Sequence, residues 1–175
     1  IYAQCGYIQV ETGQLHTVAI NSDGSLWAWG DNQFGQLGDG TTNNQASRVQ
    51  IGNGTNWSQI SSNSMHSVAL RSDGTLWAWG QNNFGQLGDG TTVDKHIPSQ
   101  IGTGANWSSI SAGGVHTLAI KSDGTLWAWG RNQFGAVGNG TTNTFFSTPI
   151  QIGTATNWSK VSGGSQYTVA IKSNG

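Results

Sequence analysis

The stretch His116–Thr142, HTLAIKSDGTLWAWGRNQFGAVGNGTT, recurs as His16–Thr42 and His66–Thr92, and its opening starts a fourth time at Tyr167–Gly175. Trp27, Trp77 and Trp127 keep this register, as do Trp29, Trp79 and Trp129. A self-similar period of about 50 residues marks propellers and solenoids, in which each unit buries its apolar surface only against its neighbours. The chain is therefore expected to fold as one array of repeats, and the question becomes what each unit contains.

Each unit reads as four antiparallel strands. Tyr7–Glu11 aligns with Trp57–Ser61, Trp107–Ser111 and Trp158–Ser162, short alternating stretches with Val10, Ile60, Ile110 or Val161 toward a core. Small-residue turns follow: Thr12-Gly13-Gln14, Ser62-Asn63-Ser64, Ala112-Gly113-Gly114 and Gly163-Gly164-Ser165. The second strand is H-T-V-A-I. Asp23-Gly24, Asp73-Gly74, Asp123-Gly124 and Asn174-Gly175 then predict two-residue hairpin turns, because these residues tolerate positive φ. The third strand, L-W-A-W-G, carries apolar side chains on both faces, so a neighbouring sheet must cover each. A glycine-punctuated loop with one aromatic (Phe34, Phe84, Phe134) leads to a short edge strand near Arg48–Ile51, Pro98–Ile101 and Pro149–Ile152, where proline is tolerated. The units run about 7–51, 57–101 and 107–152, with a partial one at 158–175.

Composition narrows the function classes. Charged residues make up 9% of the chain and the formal net charge is −1, so no basic field exists to draw nucleic acid. No apolar run is long enough to span a membrane as a helix. Cys5 is the only cysteine, which excludes an intrachain disulfide and a thiolate metal site, and YAQC is a poor lipoprotein signature. The glycine-rich loop lacks the G-K-[ST] of a phosphate cradle, and S-D-G-T lacks the spaced carboxylates of a calcium loop. His16, His66 and His116, with Tyr167 in the fourth copy, read as structural hydrogen-bonding groups. The tryptophans read as inter-blade packing and the phenylalanines as loop anchors. The sequons at Asn53, Asn56, Asn106, Asn139 and Asn157 come with the repeat. No nucleophile, base and orienting group form a set, and no cofactor is implied.

The composite W-A-W-G-x-N-x-F-G-Q-L-G-D-G-T-T, preceded by G-G-x-H-T-L-A-I-K-S-D-G, resembles the regulator of chromosome condensation (RCC1) repeat family over essentially the whole chain. The resemblance implies an all-β, RCC1-like β-propeller with four-stranded antiparallel blades, about 3.5 of them, half of a seven-bladed ring. It implies that this chain is a piece of a longer one, or that a partner completes the ring. Family roles include nucleotide exchange on a small GTPase, ultraviolet sensing through tryptophans, inhibition of β-lactamase and interaction domains. Ultraviolet sensing is disfavoured, because the stretches at Gly13–Thr17 and Gly114–Thr117 lack the Trp and Arg of the photoreceptor motif. Exchange is disfavoured by the seven Lys and Arg and the single-residue insertion in Asn143–Pro149.

Specificity is expected where the copies differ. The candidate partner-binding loop residues are Asp31, Gln81 and Arg131, together with Arg48, Asp94, Lys95, His96, Phe145 and Phe146, because loops on a rigid scaffold carry binding. The expected function is a noncatalytic protein-binding or assembly module, binding a protein partner or further blades of its own chain. The near-identical, Asn/Thr/Ser/Gly-rich units resemble the secreted or cell-surface bacterial members of the family, which implies an extracellular or cell-surface setting. The alternatives are a propeller inhibitor or regulator of an enzyme or small GTPase, and a lectin-like binder of carbohydrate.

Overall fold

The structure, a computed structural model, describes residues 6–174; Cys5 lies outside the described residues. The first sheet consists of β1 (Tyr7–Thr12), β2 (His16–Asn21), β3 (Leu26–Gly30) and β4 (Gln45–Gln50), paired antiparallel in that order. The second repeats it with β5 (Trp57–Asn63), β6 (His66–Arg71), β7 (Leu76–Gly80) and β8 (Lys95–Gln100). The third has β9 (Trp107–Ala112), β10 (His116–Lys121), β11 (Leu126–Arg131) and β12 (Phe145–Gln151). A two-stranded sheet follows, β13 (Trp158–Gly163) with β14 (Thr168–Lys172). The leading strands β1, β5, β9 and β13 neighbour one another in turn, so they form the inner edge around which the sheets fan out as blades. Side-chain amides tie that edge: Gln9 donates to the Ile60 carbonyl at 2.8 Å and accepts from the Ile60 N–H at 3.0 Å.

Alternation places Val18, Ile20, Leu26 and Ala28 on one face of the first blade. They meet Trp57, Ile60, Ala69 and Trp79 of the second in one buried cluster, closed by Leu37 and Ile51. The next interface repeats the recipe with Val68, Leu70, Leu76 and Ala78 against Trp107, Ile110, Ala119 and Trp129. In the second blade both faces of L-W-A-W-G are thus covered by stacking, as the sequence requires.

The hairpins are three-residue loops, not the two-residue turns the sequence suggests. Gly24 N–H bonds the Asn21 carbonyl at 2.8 Å, Asn21 N–H bonds the Ser25 carbonyl at 2.9 Å, and only Gly24 has positive φ, +79°. This is a turn closed by a glycine bulge. The aspartate acts through its side chain instead. Asp23 Oδ1 accepts from the Ser25 hydroxyl at 2.6 Å and its N–H at 2.9 Å, and those bonds hold its carboxyl below the usual range. The Ser25 hydroxyl in turn accepts from Trp27 Nε1 at 2.9 Å. The same chain runs from Trp77 through Thr75 to Asp73, and from Trp127 through Thr125 to Asp123. One repeated aspartate therefore fixes both the turn and an indole.

Candidate axial binding site

A latch joins each blade to the next. His66 Nε2 lies 3.0 Å from Thr117 Oγ1, Thr117 donates to the Gln86 carbonyl at 2.7 Å, and Trp129 Nε1 donates to the same carbonyl at 3.0 Å. His16 makes the equivalent set with Ser67, Gln36 and Trp79. His116 meets Thr168, which donates to the Ala136 carbonyl. Because each hydroxyl proton goes to a carbonyl, the imidazole must donate through Nε2, which leaves Nδ1 bare and neutral. Those Nδ1 atoms are buried, without partners among the described residues. Burial lowers the three imidazoles to about 4, 3 and 4 for His16, His66 and His116. The repeated histidines are neutral struts between blades, and among the described residues no three His, Cys, Asp or Glu gather as metal ligands.

The N-x-F-G-Q-L-G-D-G-T-T loop also turns its polar groups inward. Asn32 Oδ1 accepts the Leu37 N–H at 3.0 Å while Nδ2 donates to Asp39 at 3.0 Å and to the Thr41 carbonyl at 3.1 Å. Asn82 and Asn132 repeat this. A Cβ on Gly38 would lie 2.8 Å from Trp79 Nε1, so glycine lets the loop close over the indole.

Where the variable residues fall is more informative. Lys95, His96, Phe145 and Phe146 belong, like Arg48, to the outer strands β8, β12 and β4 and not to loops, because the outer strand starts earlier than the proline and apolar positions indicate. Several are internal fasteners. Asp94 accepts the Asn82 N–H at 2.7 Å, Lys95 pairs with Asp89 at 3.3 Å, and the His96 carbonyl accepts the Gly40 N–H at 2.8 Å. Phe146 packs into the core beside Trp129, and Phe145 is exposed. Arg48 stacks over Trp27 at 5.7 Å and donates to Tyr7 Oη at 3.2 Å. Asp31 and Gln81 accept from the buried Gln36 and Gln86. Arg131 alone of the nine reaches the one place where all four sheets converge.

That place is the end of the inner edge, where the turns following β1, β5, β9 and β13 meet. Gln14 N–H bonds the Ser64 carbonyl at 3.0 Å and Gly114 N–H bonds the Gly164 carbonyl at 2.9 Å, linking neighbouring turns. Around them opens a cavity of about 470 Å³ lined by Thr12, Gly13, Gln14, Ser62, Asn63, Ser64, Gly114, Val115, Ser165, Gln166 and Arg131. Its rim is polar and uncharged apart from Arg131. In the sequence these turns read only as links; the signal they carry is that T-G-Q, S-N-S, A-G-G and G-G-S differ between copies otherwise almost identical.

The half-buried Trp27, Trp77 and Trp127 lie away from this mouth, and cations of the chain cover them. Arg71 stacks 4.0 Å from Trp77 and 4.7 Å from Trp57, and Lys121 3.8 Å from Trp127 and 5.0 Å from Trp107. Phe84 is covered by Arg131 at 4.7 Å, whereas Phe134 is 63% exposed, contrary to a uniform role as loop anchor.

Radial four-stranded antiparallel sheets, latched face to face about an axial cavity, define a β-propeller scaffold. The regulator of chromosome condensation (RCC1) repeat model matches residues 23–70, 73–120 and 123–171, so the chain belongs to that family. A second model of the same repeat matches 7–36, 57–86 and 107–136. Human E3 ubiquitin-protein ligase HERC2 is 58% identical over 36 residues, which cover 21% of this chain and 1% of that protein. The ultraviolet-B receptor UVR8 of Arabidopsis thaliana is 49% identical over 43 residues, 25% of this chain and 10% of the receptor. Among solved structures, Prp20p of Saccharomyces cerevisiae, described for its binding to Gsp1p and histones, superposes with a TM-score of 0.81 at 24% identity, over 94% of this chain and 43% of its own. The ectodomain of the Physcomitrella patens receptor kinase CR4 gives 0.63 at 15% identity, over 98% and 40%. The chain spans less than half of each of these proteins.

Proposed function

We propose that this chain is a noncatalytic protein-binding module of regulatory or assembly type, and that it receives its partner at the axial mouth. The observation that carries this reading is the division of labour among polar residues. The repeated His, Asn, Asp and Thr side chains are hydrogen-bonded within the scaffold, while side chains that differ between blades converge on the 470 Å³ cavity. Loops and turns on a rigid scaffold are where binding is expected. A regulator that covers one protein with a single ring face is the second reading, favoured by the shared fold with Prp20p, a protein that binds Gsp1p and histones. Carbohydrate stacking is less favoured, since Trp77 and Trp127 already carry the chain's own cations. An extracellular or cell-surface setting is part of the proposal. It rests on the resemblance of the near-identical Asn/Thr/Ser/Gly-rich, Lys-poor units to secreted or cell-surface members of the family, and fractionation of the source cells tests it.

Photo-crosslinking tests the binding surface. With p-benzoylphenylalanine at Gln14 or Gln166, adducts with a defined protein from extract of the source cells are expected, and at Arg48 on the outer strand none. Adducts confined to the outer strand would overturn the assignment of the mouth.

A further inference from the structure

Two departures from the repeat fall together in the third blade. Where the first and second blades have Asp31 with Gln36 and Gln81 with Gln86, the third has Arg131 with Ala136. The buried glutamines explain the coupling. Gln36 Oε1 accepts the Phe34 N–H at 2.9 Å, which turns its Nε2 toward Asp31 Oδ2 at 2.6 Å. Gln86 does the same, with Phe84 N–H at 2.9 Å and Gln81 Oε1 at 3.4 Å. An amide N–H aimed in this way needs an acceptor opposite it. A guanidinium offers donors only, so arginine facing this glutamine would set donor against donor in a buried site. Alanine at 136 removes the conflict and frees the arginine from the tether of the other two blades.

The freed side chain takes a defined pose. Its guanidinium stacks 4.7 Å from the Phe84 ring of the preceding blade and 5.7 Å from Phe134, and one terminal nitrogen donates to Gln133 at 2.6 Å. Its Nε is buried and has no acceptor among the described residues, so a ligand meets the terminal nitrogens. Among the described residues it is the one basic side chain lining the axial cavity. Other cations are engaged elsewhere: Arg71 and Lys121 with tryptophans, Lys95 with Asp89. A stacked guanidinium lining the mouth, beside an exposed phenylalanine, is preorganised for a planar acceptor carried on an apolar-flanked chain.

We propose that Arg131 is the anchor for a carboxylate side chain of the partner polypeptide seated in the mouth, with Phe134 supplying an apolar contact beside it. This deepens the reading of the mouth as a binding surface and rests on it. A lone guanidinium matches one carboxylate; no second cation lines the cavity to balance a phosphate dianion.

The test follows the side-chain N–H resonance of Arg131 in the ¹⁵N-labelled chain during titration with N-acetyl-Glu-Leu-amide, with N-acetyl-Gln-Leu-amide as its neutral counterpart. A saturable shift at least about tenfold tighter for the glutamate peptide is expected. R131Q should abolish glutamate-peptide binding, read from backbone amides around the cavity, and R131K should recover part of it, since charge remains without the fork. A136Q should weaken binding, because the reinstated amide N–H sets donor against donor and pushes the guanidinium out of its pose. Equal affinity for both peptides, tighter binding of inorganic phosphate than of the glutamate peptide, or R131Q binding like the parent would each overturn the anchor. Crosslinking at Gln14 and Gln166 separates the two claims. Adducts that persist undiminished in R131Q sink the anchor and leave the surface; carboxylate binding without adducts sinks the surface and leaves the anchor.

Discussion

Ile60 and Ile110, on the inner strands of the second and third blades, are 2% and 7% exposed, whereas Val10, at the same place on the first blade, is 50% exposed. At the far end Val169 and Ile171 on β14 are likewise open, although their counterparts Val68, Leu118, Leu70 and Ile120 are buried. The repeat is nearly constant, so the side chains do not explain the difference. Burial belongs to a pair of blades, and a blade face without a neighbour keeps its apolar residues in water. The first two interfaces hold a latch and two buried indoles each, and the open faces contribute little to stability until another sheet covers them.

The comparison breaks most directly at an indole. Trp79→Ala or Trp129→Ala should cost about 3–5 kcal/mol in denaturant unfolding, since each removes a fully buried ring. Ile171→Ala on the open face should cost less than about 0.5 kcal/mol. Equal losses would mean that the interior interfaces are not what holds the array together.

Acid should act on the latches next. The folded-state values of His16, His66 and His116 lie below the unfolded value of 6.5, so the unfolded chain binds protons first as pH drops. Stability is then fully present above about pH 6.5 and is lost as pH falls toward 4 to 3. Thermal melting from pH 7.5 to 4 checks this, and a triple His→Gln variant should lose most of the slope in that window.

Thr117→Val removes one latch hydroxyl and leaves His66 Nε2 and the Gln86 carbonyl each short of a partner, for an expected loss of about 1–3 kcal/mol. The smallest effect on folding belongs to the open faces. Val10→Thr with Ile171→Thr should change stability by less than about 0.5 kcal/mol while lowering self-association seen by light scattering. Unchanged association would show that these faces are not what brings copies together.

Much of this architecture was legible in the sequence, because a repeated motif states each interface several times. The period and the four strands per unit follow from apolar alternation on both faces, whereas the reading of every tryptophan as buried holds for Trp79 and Trp129 but not for the half-buried Trp27, Trp77 and Trp127. The hairpin geometry did not, because Asp23 works through its carboxylate rather than through positive φ. The outer strands were misjudged in length, since half of their residues are polar and their pairing to β3, β7 and β11 is irregular. The mouth was missed for a different reason. Its rim residues lie far apart in sequence and are small and polar, and only the closure of four sheets about one edge brings Gln14, Ser64, Val115 and Gln166 together. Arg131 was singled out because it differs between copies, but its release depends on Ala136 five residues on, a coupling that hydrogen-bond directions reveal.

The central claim is that constant residues build the scaffold and that the divergent pair in the third blade equips its mouth. The most direct measurement gives blade three the pattern of blade one, R131D with A136Q, and compares the dissociation constant for the protein crosslinked at the mouth with the unfolding free energy of the same variant. The account predicts binding at least about tenfold weaker with stability within about 1 kcal/mol of the parent, because Asp and Gln satisfy each other there as Asp31 and Gln36 do. Unchanged binding by a stable variant would contradict it.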